Sequence, residues 1–86
     1  MKAPLVVCID GEHRTVEDDR AIDQLMLDAF SSPAGQRALE YLMSISTNAC
    51  SGPEASCQFL AHREGMRFIV YLIQKRMRAV VARAQQ

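Results

Sequence analysis

Three residues in the middle of the chain, Cys50, Cys57 and His62, are of the types that bind zinc. Their spacing, C-x6-C-x4-H, lacks the closely paired C-x2–4-C and H-x3–5-H units of zinc sites, and a fourth ligand would have to be Cys8 or His13. The three cysteines are therefore expected to be reduced, buried thiols, and His13 to be solvated in a turn. We expect neither a metal nor another cofactor.

Residues suited to catalysis are not grouped in this sequence. General acid–base and nucleophilic catalysis need a positioned acid, base or nucleophile, and no such set is visible. The chain also has no Walker loop, no dinucleotide-binding glycine motif and no cluster of metal-binding carboxylates. The sequence therefore predicts a protein that is not an enzyme.

The charged residues are divided between the two halves of the chain, although the formal net charge is zero. Residues 1–43 hold eight acidic and four basic residues, whereas residues 44–86 hold two acidic and six basic residues. The halves could attract each other within one fold or between subunits. The basic end could equally meet an acidic partner or nucleic acid, and its candidate nucleic-acid contacts are Lys75, Arg76, Arg78 and Arg83.

The aromatic residues are predicted to be core rather than stacking platforms: Phe30, Tyr41, Phe59, Phe68 and Tyr71.

The N-terminal segment LVVCIDGEHRTV predicts a β-hairpin. Residues 5–9 are rich in β-branched side chains, Asp10-Gly11 is a turn signal, and HRTV is a short return strand. The alternative for residues 1–14 is a flexible arm.

The apolar run of this segment is shorter than the hydrophobic core of a secretory signal peptide, and the run FIVYLI is far shorter than a membrane span. We therefore expect no membrane association.

Residues 15–84 predict three helices within a single domain that spans residues 1–86. Thr15 is a helix cap, and the first helix is expected to end near Ser31. Ser32 caps the second helix, with Pro33 at its first position. The predicted fold is therefore mainly α, with a hairpin or arm preceding a small three-helix domain.

The third helix is predicted to be long. Ser51 and Glu54 match the spacing of a capping box, and from Glu54 to about Ala84 nothing strong interrupts the helix except Gly65. About 30 residues would extend roughly 45 Å, which exceeds the size of a compact domain of this length. The last turns should therefore project or pack against another subunit, and we expect a homodimer formed through the apolar stripe of this helix.

A charged group on the third helix is the main candidate for protein docking. Arg63 and Arg67 lie one turn apart and repel each other, so an acidic surface would stabilise them, either residues 17–23 of this chain or another protein. Gly65 costs about 1 kcal/mol inside a helix, which suggests that another helix approaches closely. Arg63, Glu64, Gly65 and Arg67 are therefore predicted to form a docking face, the alternative being an ordinary solvated face.

The segments FSSPAGQRALEYLM and FLAHREGMRFIVYLI, with the loop between them, resemble a small family of tailed-phage and prophage proteins. The similar positions are Phe30, Pro33, Gly35, Arg37, Leu39, Leu42, Arg63, Glu64, Gly65 and Arg67. The family is typically encoded among the head, portal and terminase genes of short-tailed phages, and the resemblance covers residues 27–75.

The resemblance implies a non-enzymatic virion structural or assembly protein in the host cytoplasm or the virion. Its partner would be a head, portal or packaging component, and Arg37 joins the docking residues. Two alternatives remain: a small nucleic-acid-binding or DNA-packaging accessory protein that uses the basic C-terminal helix, and an inhibitor of a host protein.

Overall fold

The computed structural model describes residues 3–49 and 51–85 of the chain. A two-stranded antiparallel hairpin precedes three helices, and the last helix is the longest. The elements are β1 (Val6–Val7), β2 (His13–Arg14), α1 (Val16–Phe30), α2 (Pro33–Ser44) and α3 (Cys57–Ala84). This architecture confirms the predicted fold class, and the N-terminal segment is a hairpin rather than an arm.

The hairpin turns where the Asp10-Gly11 pair predicts a turn. Gly11 has a φ of 86°, a left-handed conformation that is open to glycine because it lacks a Cβ atom. The amide of Cys8 donates to the carbonyl of Glu12 at 2.9 Å, and the amide of Gly11 donates to the carbonyl of Cys8 at 2.9 Å. These bonds close the loop and place β2 beside β1, with Val6 opposite Arg14.

Helices α1 and α2 begin at the predicted caps. The Thr15 hydroxyl accepts a hydrogen bond from the amide of Asp18 at 3.1 Å. The Ser32 hydroxyl accepts from the amide of Gly35 at 3.0 Å, and Pro33 occupies the first turn, where its missing N–H costs nothing. The side-chain oxygens thus satisfy amides that the helices leave open, which fixes where each helix starts.

The predicted start of α3 is wrong, because the helix begins at Cys57, three residues after Glu54, and its cap lies five residues after Ser51. The helix is capped by Ser56, whose hydroxyl accepts from the amide of Phe59 at 3.1 Å, and not by Ser51. Residues 52–55 form a turn in which the amide of Ala55 donates to the carbonyl of Gly52 at 3.1 Å. The Ser51 hydroxyl is enclosed and meets no hydrogen-bond partner in the described part of the chain, so it caps nothing.

The C-terminal half of α3 packs along α1, so its last turns do not project. Arg83 binds Asp23 of α1 at 3.0 Å, and Leu27 of α1 lines the same groove as Met77 of α3. The opposite end is the exposed one, since every residue from 57 to 62 is exposed. The radius of gyration is 15.6 Å, whereas a compact domain of this length has about 12 Å. The chain is therefore elongated.

Candidate interaction site

The most buried charged side chain of α3 is Arg76, which is 4% exposed. Its guanidinium Nη1 lies 2.9 Å from a carboxylate oxygen of Asp19 and 2.9 Å from one of Asp23. Its Nη2 lies 3.3 Å from a carboxylate oxygen of Asp10 in the hairpin turn. Arg76 thus joins the hairpin, α1 and α3 through a single side chain.

Two further arginines balance these three aspartates. Arg14 of β2 binds Asp10 at 2.7 Å, and Arg83 binds the second carboxylate oxygen of Asp23 at 3.0 Å. The resulting Arg–Asp cluster consists of Asp10, Arg14, Asp19, Asp23, Arg76 and Arg83. The attraction between the acidic and basic halves of the sequence is therefore realised within one fold.

Three members of the cluster, Asp10, Arg14 and Arg76, have pKa values shifted in the direction that favours their charged forms. The hydrogen bond from Arg14, with a second from the backbone amide of Glu12, lowers the pKa of Asp10 from 3.8 to about 2. The hydrogen bond to Asp10 raises the pKa of Arg14. Burial lowers the pKa of Arg76, but its hydrogen bonds to Asp19 and Asp23 outweigh that effect, and the net change is upward. These groups therefore keep their charges near neutral pH.

The four candidate nucleic-acid contacts do not form one basic stripe. The burial of Arg76 removes it from this set, and Arg83 is paired with Asp23. Lys75 and Arg78 are exposed, and the Lys75 ammonium lies 5.6 Å from the ring centre of Tyr71. Half of the predicted cations are thus neutralised inside the fold, which weakens the electrostatic case for binding phosphates.

Arg67 of the predicted docking face is used inside the chain. Its Nε donates to the carbonyl of Ser46 at 3.1 Å, and its Nη2 donates to the carbonyl of Ala49 at 2.6 Å. Its Nη1 binds the carboxylate of Glu64 at 2.8 Å. A cation at the carbonyl end of α2 also complements the helix dipole. Arg67 therefore positions the α2–α3 connection, and it does not meet the acidic residues 17–23.

Replacing Arg67 with methionine is expected to lower the free energy of unfolding by about 2 kcal/mol, because two backbone carbonyls lose a charged donor. Amide hydrogen exchange of residues 45–56 should accelerate as well, since this connection would open locally. Arg63→Met is the matched control, because Arg63 makes one long hydrogen bond, to the carbonyl of Ile45 at 3.3 Å, and otherwise lies over the exposed ring of Phe59. Its loss should lower the free energy of unfolding by about 1 kcal/mol or less. Equal losses in both variants would contradict this role of Arg67.

The glycine of the predicted docking face, Gly65, borders open space in the part of the chain that the structure describes. A Cβ atom built on Gly65 would meet nothing within 4 Å among the described residues. A close approach of another helix at Gly65 therefore stays a prediction, and that helix would belong to another chain. Glu64 beside it is exposed, so both residues lie on an accessible part of α3.

A surface of aromatic, aliphatic and arginine side chains, all exposed except the half-buried Arg63, lies where α2 meets the start of α3. Tyr41 is 62% exposed, one turn from exposed Arg37 and one turn from exposed Ile45. The Ile45 carbonyl accepts from Arg63, and the Arg63 guanidinium lies 5.2 Å from the ring centre of Phe59. We call this set the corner surface: Arg37, Tyr41, Ile45, Phe59 and Arg63.

The prediction that all the aromatic residues are core is wrong for four of them. Tyr41, Phe59, Phe68 and Tyr71 are exposed, whereas Phe30 is half-buried. Helical periodicity identifies apolar stripes but does not say whether one chain supplies a partner for each stripe. The sequence pattern therefore does not predict that Tyr41 and Phe59, the aromatic members of the corner surface, are exposed.

The cysteines are placed differently from one another. Cys8 is buried as expected, Cys57 is exposed, and Cys50 lies outside the described residues. Within residues 3–49 and 51–85, no group of three His, Cys, Asp or Glu side chains is arranged to hold a metal ion. None of the helices in this part of the chain combines the length and hydrophobicity needed to cross a bilayer.

Comparison with protein-family models, with curated proteins and with solved structures found no match to this chain.

Proposed function

We propose that this chain is a non-enzymatic interaction protein of a tailed phage, a structural or assembly component that binds a head, portal or packaging protein. The observation that carries the proposal is the corner surface. Arginine and tyrosine are among the residues that contribute most to binding at protein interfaces, and Arg37 and Tyr41 lie one turn apart and exposed on α2. The phage setting comes from the sequence resemblance, which includes Arg37 and Arg63.

The contacts of Arg63 support this use of the corner surface. Its hydrogen bond to Ile45 and its position over Phe59 hold the guanidinium in place, so a partner would meet a preorganised group. Arg67 contributes indirectly, because it fixes the connection that carries Ile45. Of the five predicted docking residues, Arg37 and Arg63 belong to this surface, and Glu64 and Gly65 lie beside it on α3.

The proposal is tested by quantitative mass spectrometry of particles and procapsids from the phage or prophage that encodes the chain. We expect a fixed copy number relative to the portal protein. Tyr41→Glu should reduce incorporation by about thirtyfold or more, because loss of an interface anchor commonly costs 2 kcal/mol or more. Leu25→Glu is the matched control, because it adds the same charge at another exposed apolar position, on α1.

Three results would count against the proposal. The chain could be missing from both particles and procapsids, or Tyr41→Glu could be incorporated as well as Leu25→Glu. A chain found only in complex with a host protein would instead favour the inhibitor alternative. Binding to DNA that weakens steeply with salt would favour the packaging-accessory alternative.

A further inference from the structure

A second exposed set of residues runs along α3 at the spacing of a coiled-coil seam. Its members are separated alternately by three and four positions, which is the a/d spacing of a heptad repeat. All of them are exposed, and the two central ones, Phe68 and Tyr71, are 47% and 46% exposed. We call this set the heptad stripe: Ala61, Glu64, Phe68, Tyr71, Lys75 and Arg78.

The heptad stripe is complementary to itself when two copies run in opposite directions. A two-fold axis midway between positions 69 and 70 places Phe68 of one copy opposite Tyr71 of the other. The same axis places Glu64 opposite Lys75, and Ala61 opposite Arg78. Each pair joins an a position to a d position, as antiparallel coiled coils require, and one centre serves all three pairs.

The charges of Glu64 and Lys75 favour an antiparallel pair of helices over a parallel pair. In a parallel pair, Glu64 would face its own copy and Lys75 would face its own copy, so like charges would meet at both levels. In the antiparallel pair, each of these repulsions becomes an attraction. The Glu64 side chain is 68% exposed despite its contact with Arg67, so its carboxylate is accessible to a second cation.

We propose that a second copy of this chain occupies the heptad stripe, giving an antiparallel α3–α3 dimer centred between residues 69 and 70. The dimer removes the aromatic rings of Phe68 and Tyr71 from water and forms two Glu64–Lys75 ion pairs. Lys75, which lies over the ring of Tyr71, would also approach Phe68 of the second copy. This inference goes beyond the proposed function, because the stripe and the corner surface share no residue.

The test measures mass by light scattering on a sizing column over a range of micromolar concentrations. Wild-type chain should run at twice the 9.6 kDa of a single chain. Glu64→Lys and Lys75→Glu should each weaken the dimer at least tenfold, because each places like charges opposite each other at two symmetric positions. Both substitutions in one chain should restore the wild-type dissociation constant to within about threefold.

The double substitution distinguishes an antiparallel dimer from a parallel one. A parallel pair would give no restoration of this kind, because its single variants merely exchange one like-charge contact for another. Phe68→Glu should produce a monomer, whereas Tyr41→Glu in the corner surface should leave the dimer intact. Circular dichroism would show that each of these exposed substitutions leaves the helices folded.

A wild-type chain that stays monomeric throughout would overturn the dimer, as would a dimer that persists in Phe68→Glu. Failure of the double substitution to restore the association would overturn the antiparallel register. None of these results alters the particle experiment with Tyr41→Glu. The two proposals therefore fail separately.

Discussion

Replacing Arg76 with methionine is expected to lower the free energy of unfolding by about 3–5 kcal/mol, the cost of removing one partner from a buried ion pair. Among the described residues, Asp23, which is 5% exposed, would keep only the contact from Arg83, and Asp19 would lose its closest cation. A domain of this size is stable by roughly 4–13 kcal/mol. The loss would therefore remove at least about a quarter of that stability.

The measurement is urea unfolding followed by circular dichroism, at one fixed protein concentration because a dimer would make the apparent stability concentration-dependent. Arg20→Met is the matched control, since it also removes one positive charge but at an exposed position of α1. That variant should change the free energy of unfolding by less than about 0.5 kcal/mol. Equal midpoints for the two variants would show that the Arg–Asp cluster does not stabilise the fold.

The Arg–Asp cluster also contains contacts that the sequence does not predict. The acidic first half and basic second half predict attraction, but not that Arg76 would bind Asp10, 66 positions earlier. The distance along the chain is closed by the packing of α1 on α3 and by the hairpin turn. Neither feature can be located from charge counts alone. For that reason Arg76 was predicted to contact nucleic acid, although it is buried.

The local signals were reliable at the starts of α1 and α2. Thr15 and Ser32 cap these helices as predicted, and Pro33 at the first helical position favours Ser32 over the adjacent Ser31. Before α3 two serines compete, and the capping-box spacing favours Ser51 although Ser56 is the cap. The turn of residues 52–55 decides between them, and a short-range pattern does not reveal that turn.

The heptad stripe and the corner surface differ in how far the sequence predicts them. The alternation of three and four positions in the heptad stripe can be read directly from the sequence, but the apolar stripe formed by Met66, Ile73, Met77 and Val80 on the same helix is stronger and hides it. Burial separates the two stripes, because the stronger one faces the rest of the chain and the heptad stripe remains exposed. The corner surface depends on the contact between Arg63 and Ile45, which no periodicity predicts.

Gly35→Ala is expected to lower the free energy of unfolding by about 1–3 kcal/mol, the usual cost of forcing a methyl group into a packed site. A Cβ atom at Gly35 would collide with the carbonyl oxygen of Ala29 and lie 2.8 Å from the Cα of Phe30. Both obstacles are backbone atoms at the end of α1, so they cannot move aside without opening the corner between α1 and α2. This tight corner is the physical reason for a glycine here.

The matched control is the same substitution at Gly65, where the added methyl group would meet open space among the described residues. Because alanine is favoured over glycine inside a helix, Gly65→Ala should raise the free energy of unfolding by up to about 1 kcal/mol. Thermal or urea unfolding of both variants at equal concentration would measure the two effects, which should have opposite signs. A stabilised Gly35→Ala variant would mean that the α1–α2 corner is looser than the structure shows. A destabilised Gly65→Ala variant would mean that something outside this chain covers Gly65.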